Sequence, residues 1–187
     1  LYGTLFNSAT IAFYWKKFEL EEGWPRFAAE YRDSAEYWNS VREPKQEPHW
    51  RRPATDPVVE FCENKKIRLH GHPLTWGNQC WHMPEWLAEK LPPHLRALYP
   101  MKSKDGRDME RFFDAFTPEQ LEELLPEFTR ELNHSMSNRI LDIALHYKGR
   151  IHSWDVVNES ATDFGLGRMV PGSGICKSTY GLMPGDY

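Results

Sequence analysis

The chain has 187 residues, a formal net charge of −4, 40% hydrophobic and 27% charged residues. That length and balance fit one globular domain able to bury a full core. The acidic balance without a Lys/Arg cluster argues against a nucleic-acid surface, and no apolar run approaches the roughly 20 residues of a membrane span. The aromatic share is 14%, with eight Trp, and that excess fits either a carbohydrate site or a large core. Cys62, Cys80 and Cys176 are widely spaced with no C-x-x-C, so they read as buried thiols rather than a disulfide framework or a cysteine metal site. The sequence opens at Leu1 with no charged region leading into an apolar one, and reads as an excised piece.

In chain order, Leu5–Phe13 reads as a first strand running into a loop, and Gly23-Trp24-Pro25 breaks the aromatic and lysine-rich continuation. A short helix is expected near Arg26–Trp38, then an irregular stretch punctuated by Pro44, Pro48 and Pro53. Thr55-Asp56-Pro57 reads as a helix start with a capping side chain, and Val58, Val59, Phe61 and Cys62 supply an apolar face. Ile67–Leu74 is the second strand. Pro84-Glu85-Trp86-Leu87 opens a helical piece that Pro92-Pro93 cuts, and Lys102–Asp108 reads as a polar loop. Thr117-Pro118-Glu119-Gln120 is a capping box with Pro at the first helical position. Pro126 should kink or divide that helix, while Leu132, Met136, Ile140, Ile143, Ala144 and Tyr147 continue an amphipathic one. Ile151–Glu159 then forms a strand whose Trp154, Val156 and Val157 should be buried on both faces. Strand, helix, strand, helices, strand is the rhythm of an α/β protein with a parallel sheet, either a small open sheet or an arc of a barrel.

Chemistry concentrates at the strand ends. Glu159 sits where the last strand meets a polar loop, and a carboxyl group there could act as an acid if an apolar neighbour such as Trp154 raised its pKa. Asn158 beside it could hold a sugar hydroxyl, although a strict pleat would send the two side chains to opposite faces and both reaching one site requires a twist or bulge. The plain alternative is a solvated strand-end Glu. His70 and His72 share a face of the second strand, with Gly71 between them permitting close packing. They fit metal ligands with His82, satisfied core histidines, or a ligand-binding His72 backed by a stacking wall at Trp76. No G-x-S-x-G elbow and no complete Gly-rich phosphate loop is present.

Three stretches together resemble glycoside hydrolase family 10, the xylanase family. Leu5–Thr10 (LFNSAT) is similar to its second strand, His70–Trp76 (HGHPLTW) with Gln79 and Pro84-Glu85-Trp86 to its third, and Tyr147–Glu159, ending in WDVVNE, to its fourth. The resemblance implies a (β/α)8 TIM barrel, with residues 1–187 as an incomplete N-terminal part of the catalytic domain covering about strands two to four. It implies a retaining glycoside hydrolase of β-linked plant-type polysaccharide, xylan or a related β-glycan, with Glu159 as general acid/base and Asn158 on the 2-hydroxyl of the sugar at the cleavage point. His72, Lys16, Trp76 and Gln79 match positions lining that sugar's pocket. No cofactor or metal is implied. The partners it implies are a polysaccharide or oligosaccharide substrate and the remainder of the barrel, and the location it implies is secreted, periplasmic or cell-surface.

The departures are informative. Ile11-Ala12-Phe13 stand where the family carries a Pro-Glu-Asn run, and Gly77 where it has His, so an altered glycone pocket is expected. The family's nucleophile lies in an ITELD-like run that is absent here, so activity is not expected of this chain by itself. Two rivals remain at this stage: a non-catalytic carbohydrate-binding protein on a degenerate family 10 barrel, and a self-contained α/β interaction domain.

Overall fold

A computed structural model describes residues 2–47, 53–76, 82–96, 117–158, 175–178 and 181–184. The elements in chain order are α1 (Tyr2–Leu5), β1 (Ser8–Ala12), α2 (Trp15–Phe18), α3 (Ala35–Ser40), α4 (Thr55–Asn64), β2 (Arg68–His72), α5 (Trp86–Lys90), α6 (Pro93–Arg96), α7 (Pro118–His146), β3 (Ser153–Trp154), β4 (Ile175–Ser178) and β5 (Gly181–Pro184). β1, β2 and β3 form a parallel sheet in that spatial order, and β4 and β5 pair antiparallel as a separate hairpin that the strand pattern did not foresee.

The sheet register places Ala12 opposite His72 and His70 opposite Ser153, so the C-terminal ends of the three strands meet on one side. Between β2 and β3 the contact depends on a glycine. A Cβ built at Gly71 would lie 2.2 Å from the Trp154 ring, so the indole lies directly against the β2 backbone. Trp154 faces the helical layer, 5.1 Å from the Phe13 ring, and packs on the cluster that includes Val59, Leu69, Ile143 and Tyr147.

Helix α7 joins two cores. It has the expected capping box: Thr117 accepts from the Gln120 N–H, and the Gln120 side chain accepts from the Thr117 N–H. Its lower part buries Phe128 and Leu132 against Trp15, Leu87, Leu91 and Leu95, whereas its upper part buries Ile143 and Tyr147 against the sheet. At roughly 1.5 Å per residue it is long enough to reach both clusters. Pro126 does not divide it; the helix runs unbroken over 29 residues, because packing on both sides outweighs one missing hydrogen bond.

Several expectations are corrected. Thr55 is the first residue of α4 rather than its cap, because its hydroxyl is taken up by the buried Tyr147 phenol, which also donates to Asp56 at 2.7 Å. Residues 26–30 are irregular, and the chain becomes helical only in a 3-10 turn at Tyr31–Asp33 and in α3, where Ser34 caps. Arg26, nearly buried, pairs with Asp33 and pins that loop, an interaction that spacing alone cannot reveal. Leu5 closes α1, so β1 begins only at Ser8.

Val156 and Val157 are 52% and 44% exposed, not buried. β3 is the edge of the described sheet, and no described element covers its outer side. The expected loop Lys102–Asp108, and Gly77, lie outside the described residues.

Candidate active site

The strand ends carry a connected set of side chains. His72 closes β2, and its Nδ1 lies 2.8 Å from Oδ2 of Asp155, the residue that follows β3. An ionised carboxylate can only accept, so Nδ1 carries the proton. On the other side of the ring, Nε2 lies 3.2 Å from the hydroxyl of Tyr14, which follows β1. Each of the three parallel strands thus delivers one member of a Tyr14–His72–Asp155 chain.

Trp76 stands next to this chain, its ring 5.9 Å from that of Tyr14 and 6.5 Å from that of His82. It is held there by a backbone ladder in which Leu74 and Thr75 donate to the carbonyls of Asp155 and Val156, and Asn158 donates back to the Thr75 carbonyl at 2.9 Å. Asn158 is therefore tied to the residue preceding Trp76. Trp154 packs against Phe13 on the helical side; the Glu159 carboxyl it was expected to desolvate lies outside the described residues.

Beneath Tyr14 the loop is clamped. Phe13 N–H donates to the His72 carbonyl at 2.7 Å, Arg139 donates to the Phe13 carbonyl, and His82 receives the Trp15 N–H on Nδ1 and the Lys16 N–H on its carbonyl. Lys16 directs its ammonium to Glu85 at 3.0 Å. His82 and Arg139 are both buried, and among the described residues His82 Nε2 and Arg139 Nε and Nη1 have no hydrogen-bond partner. Burial, with the charges of Arg139 and His72 adding, holds the His82 imidazole well below its usual range. Burial lowers Arg139 to about 9, and its guanidinium lies over the Trp15 and Phe18 rings.

Of the residues expected from the sequence, His72, Trp76 and Asn158 come to one end of the sheet, Lys16 lies one residue beyond the clamped Tyr14–Trp15 segment, and Glu159 and Gln79 lie outside the described residues. The metal reading of the histidines gains no support: His70 meets Ser153 Oγ at 2.9 Å, His72 meets Tyr14 and Asp155, and His82 meets the Trp15 N–H. Two members were missed. Asp155 could have been found had the register been known, since it follows Ser153 by two residues as His72 follows His70. Tyr14 carried no signal.

Two hollows lie elsewhere. One of about 510 Å3 is lined by Leu20, Glu22, Trp86 and Lys90 among others. The other, of about 490 Å3, is at the opposite ends of the strands, lined by Ile67, Arg68, Gly149 and His152 with neighbours, the side that in parallel barrels serves stability.

The family model of glycosyl hydrolase family 10 matches residues 33–180. The chain belongs to that family. The match includes His72, Trp76, Gln79, Asn158 and Glu159 and begins after Leu5–Thr10 and Lys16. Endo-1,4-beta-xylanase A of Xylanibacter ruminicola is 31% identical over 117 residues, 62% of this chain and 22% of that protein. A putative endo-1,4-beta-xylanase of Caldicellulosiruptor saccharolyticus is 28% identical over 114 residues, 61% of this chain and 28% of that protein. Endo-1,4-beta-xylanase A of Halalkalibacterium halodurans is 30% identical over 120 residues, 64% of this chain and 24% of that protein. The chain thus spans about a quarter of the length of these relatives.

Proposed function

We propose that residues 1–187 are part of the catalytic domain of a retaining glycoside hydrolase acting on xylan or a related β-linked polysaccharide. The observation that carries this is the assembly of His72, Asp155, Trp76 and Asn158 at the C-terminal ends of parallel strands in a family 10 chain. That is the end of a parallel barrel where chemistry is found. An indole beside hydrogen-bonding groups suits the apolar face and hydroxyl rim of a sugar. The names of the relatives, endo-1,4-beta-xylanases, point the same way.

In this reading the sheet is an arc of a (β/α)8 barrel completed by chain beyond these residues. Glu159, directly after Asn158, protonates the glycosidic oxygen as the bond to the anomeric carbon breaks, while a second carboxylate from the remainder of the barrel forms a glycosyl ester. Glu159, now ionised, then takes a proton from water as the water oxygen displaces that ester. Asn158, His72, Trp76, Lys16 and Gln79 hold the sugar. A polymeric substrate cannot enter a cell, which favours a secreted, periplasmic or surface location. No helix among the described residues is long and apolar enough to cross a membrane.

The test is the full-length protein with Glu159→Gln. Hydrolysis of xylan should fall by about 10²–10⁴-fold, the usual contribution of general acid catalysis. Aryl glycosides with good leaving groups need little protonation and should lose far less. Equal loss on both substrates would remove the acid role, and glycan binding without any hydrolysis by the parent would leave a carbohydrate-binding protein.

A further inference from the structure

We propose that the hollow of about 510 Å3 between the turn after α2 and helix α5 is a second glycan-binding site, taking a neutral stretch of the β-linked polymer outside the cleavage site. This rests on the glycoside hydrolase reading above and adds a site to it. The hollow is lined by Leu20, Glu21 and Glu22 on one lip and by Trp86, Glu89 and Lys90 on the other. Its volume falls in the roughly 300–1,000 Å3 range of small-molecule sites.

Glu19 builds both lips. Its carboxylate accepts the Gly23 N–H and the Trp15 Nε1–H, each at 2.7 Å, which closes the turn that carries Leu20–Glu22. Gly23, at φ +77°, completes that turn in a conformation that side chains rarely adopt. The Glu19 carbonyl accepts the Trp86 Nε1–H at 3.0 Å, and the Trp15 ring meets that of Trp86 at 5.7 Å, nearly perpendicular. The indole is thus fixed in place by the protein itself. At the mouth, Lys90 pairs with Glu22 and holds its ammonium 5.5 Å from the Trp86 ring centroid. That is near the ~6 Å limit for such contacts, so the ammonium rims the indole rather than covering it.

A neutral sugar suits this lining better than its rivals. The C–H face of a pyranose stacks on an indole, and its hydroxyls donate to carboxylates and accept from an ammonium. A purely apolar ligand would strip water from four charged groups and replace none of it. An organic cation would have to evict an ammonium that already pairs with Glu22. Three carboxylates against one ammonium leave the hollow acidic, so it favours unsubstituted xylan over chains bearing uronic acids.

The experiment uses the full-length protein and compares retention on insoluble xylan with kcat/KM on an aryl xylobioside, which reports the cleavage site. Thermal midpoints confirm folding. Trp86→Ala should weaken retention on unsubstituted xylan about five- to ten-fold, and Lys90→Ala about three-fold, with kcat/KM within about two-fold of the parent in both. Glu22→Gln combined with Glu89→Gln should raise retention on glucuronic-acid-bearing xylan about five-fold and leave that on the unsubstituted chain unchanged. If Trp86→Ala does not fold, the variants at the exposed Glu22, Glu89 and Lys90 decide. Retention on both xylans unmoved in every folded variant overturns the second site, while the hydrolase reading stands. Tetramethylammonium that raises the thermal midpoint of the parent but not of Lys90→Ala or Trp86→Ala, with xylan retention unmoved, assigns the hollow to a cation and overturns it too. Loss of kcat/KM in step with retention merges the hollow with the cleavage site and overturns it as a second one. A parent that neither binds nor cleaves any β-glycan overturns both readings.

Discussion

At the scale of single residues, Gly71 and His82 bear the clearest constraints. The face of Gly71 against Trp154 has no room for a methyl group, and the neighbour is a rigid ring rather than the tip of a flexible chain. Gly71→Ala in the full-length protein should therefore cost about 1–3 kcal/mol in urea unfolding. Combined with Trp154→Leu, it should cost less than the sum of the two changes, because removing the ring removes the overlap that the added methyl creates. Additive losses would show that the strand, not the indole, is what glycine spares. His82 predicts a pH dependence. Its folded-state value is depressed, so the folded protein declines a proton that the unfolded chain accepts below about pH 6.5. The sign follows: this part of the stability is complete above that pH and is lost as the pH falls from there toward the folded value. The slope is at most about 1.4 kcal/mol per pH unit. His82→Asn, which keeps an acceptor for the Trp15 N–H, should flatten the decline of the unfolding midpoint between pH 7 and 5, and an unchanged slope would assign the decline to other groups.

At the scale of elements, α7 decides how the helical layer meets the sheet, since it contributes to both cores and its last residues reach α4. Tyr147 and His146 at its end both bond to Asp56 in the first turn of α4, and Arg150 pairs bidentately with Glu63 near the end of α4. Burial pushes the Asp56 carboxyl up, but the hydrogen bonds from His146 and Tyr147 outweigh it and hold it below the usual range. Burial likewise pushes the Tyr147 phenol well up, so it stays a donor. Pro126 lies inside α7 and works against the element. It is exposed, lacks the N–H that the helix would use, and crowds the preceding turn. Pro126→Ala should raise stability by up to about 3 kcal/mol, read as a higher urea midpoint with an unchanged slope. No gain would mean that a bend at Pro126 is needed for Phe128 and Leu132 to reach their pocket.

At the scale of the whole molecule, the described sheet has two open edges, β1 and β3, with Val156 and Val157 exposed at one of them. Open edges with exposed branched side chains recruit other strands. Residues 1–187 alone should self-associate and unfold without a sharp transition, as followed by sedimentation and thermal melting, whereas a soluble monomer with a steep melt would favour the self-contained domain. The alternation of strands and helices, the parallel sheet and the capping box at Thr117 were legible in the sequence. Each depends on spacing along the chain, and local geometry follows from that. The exposure of Val156 and Val157, the turning of Trp154 toward Phe13, the clamp from Arg139 and His82, and the capping of His72 by Tyr14 and Asp155 were decided only by tertiary structure. These depend on strand register and on which face of one element meets another, and register is a relation between distant segments that no single stretch of sequence contains.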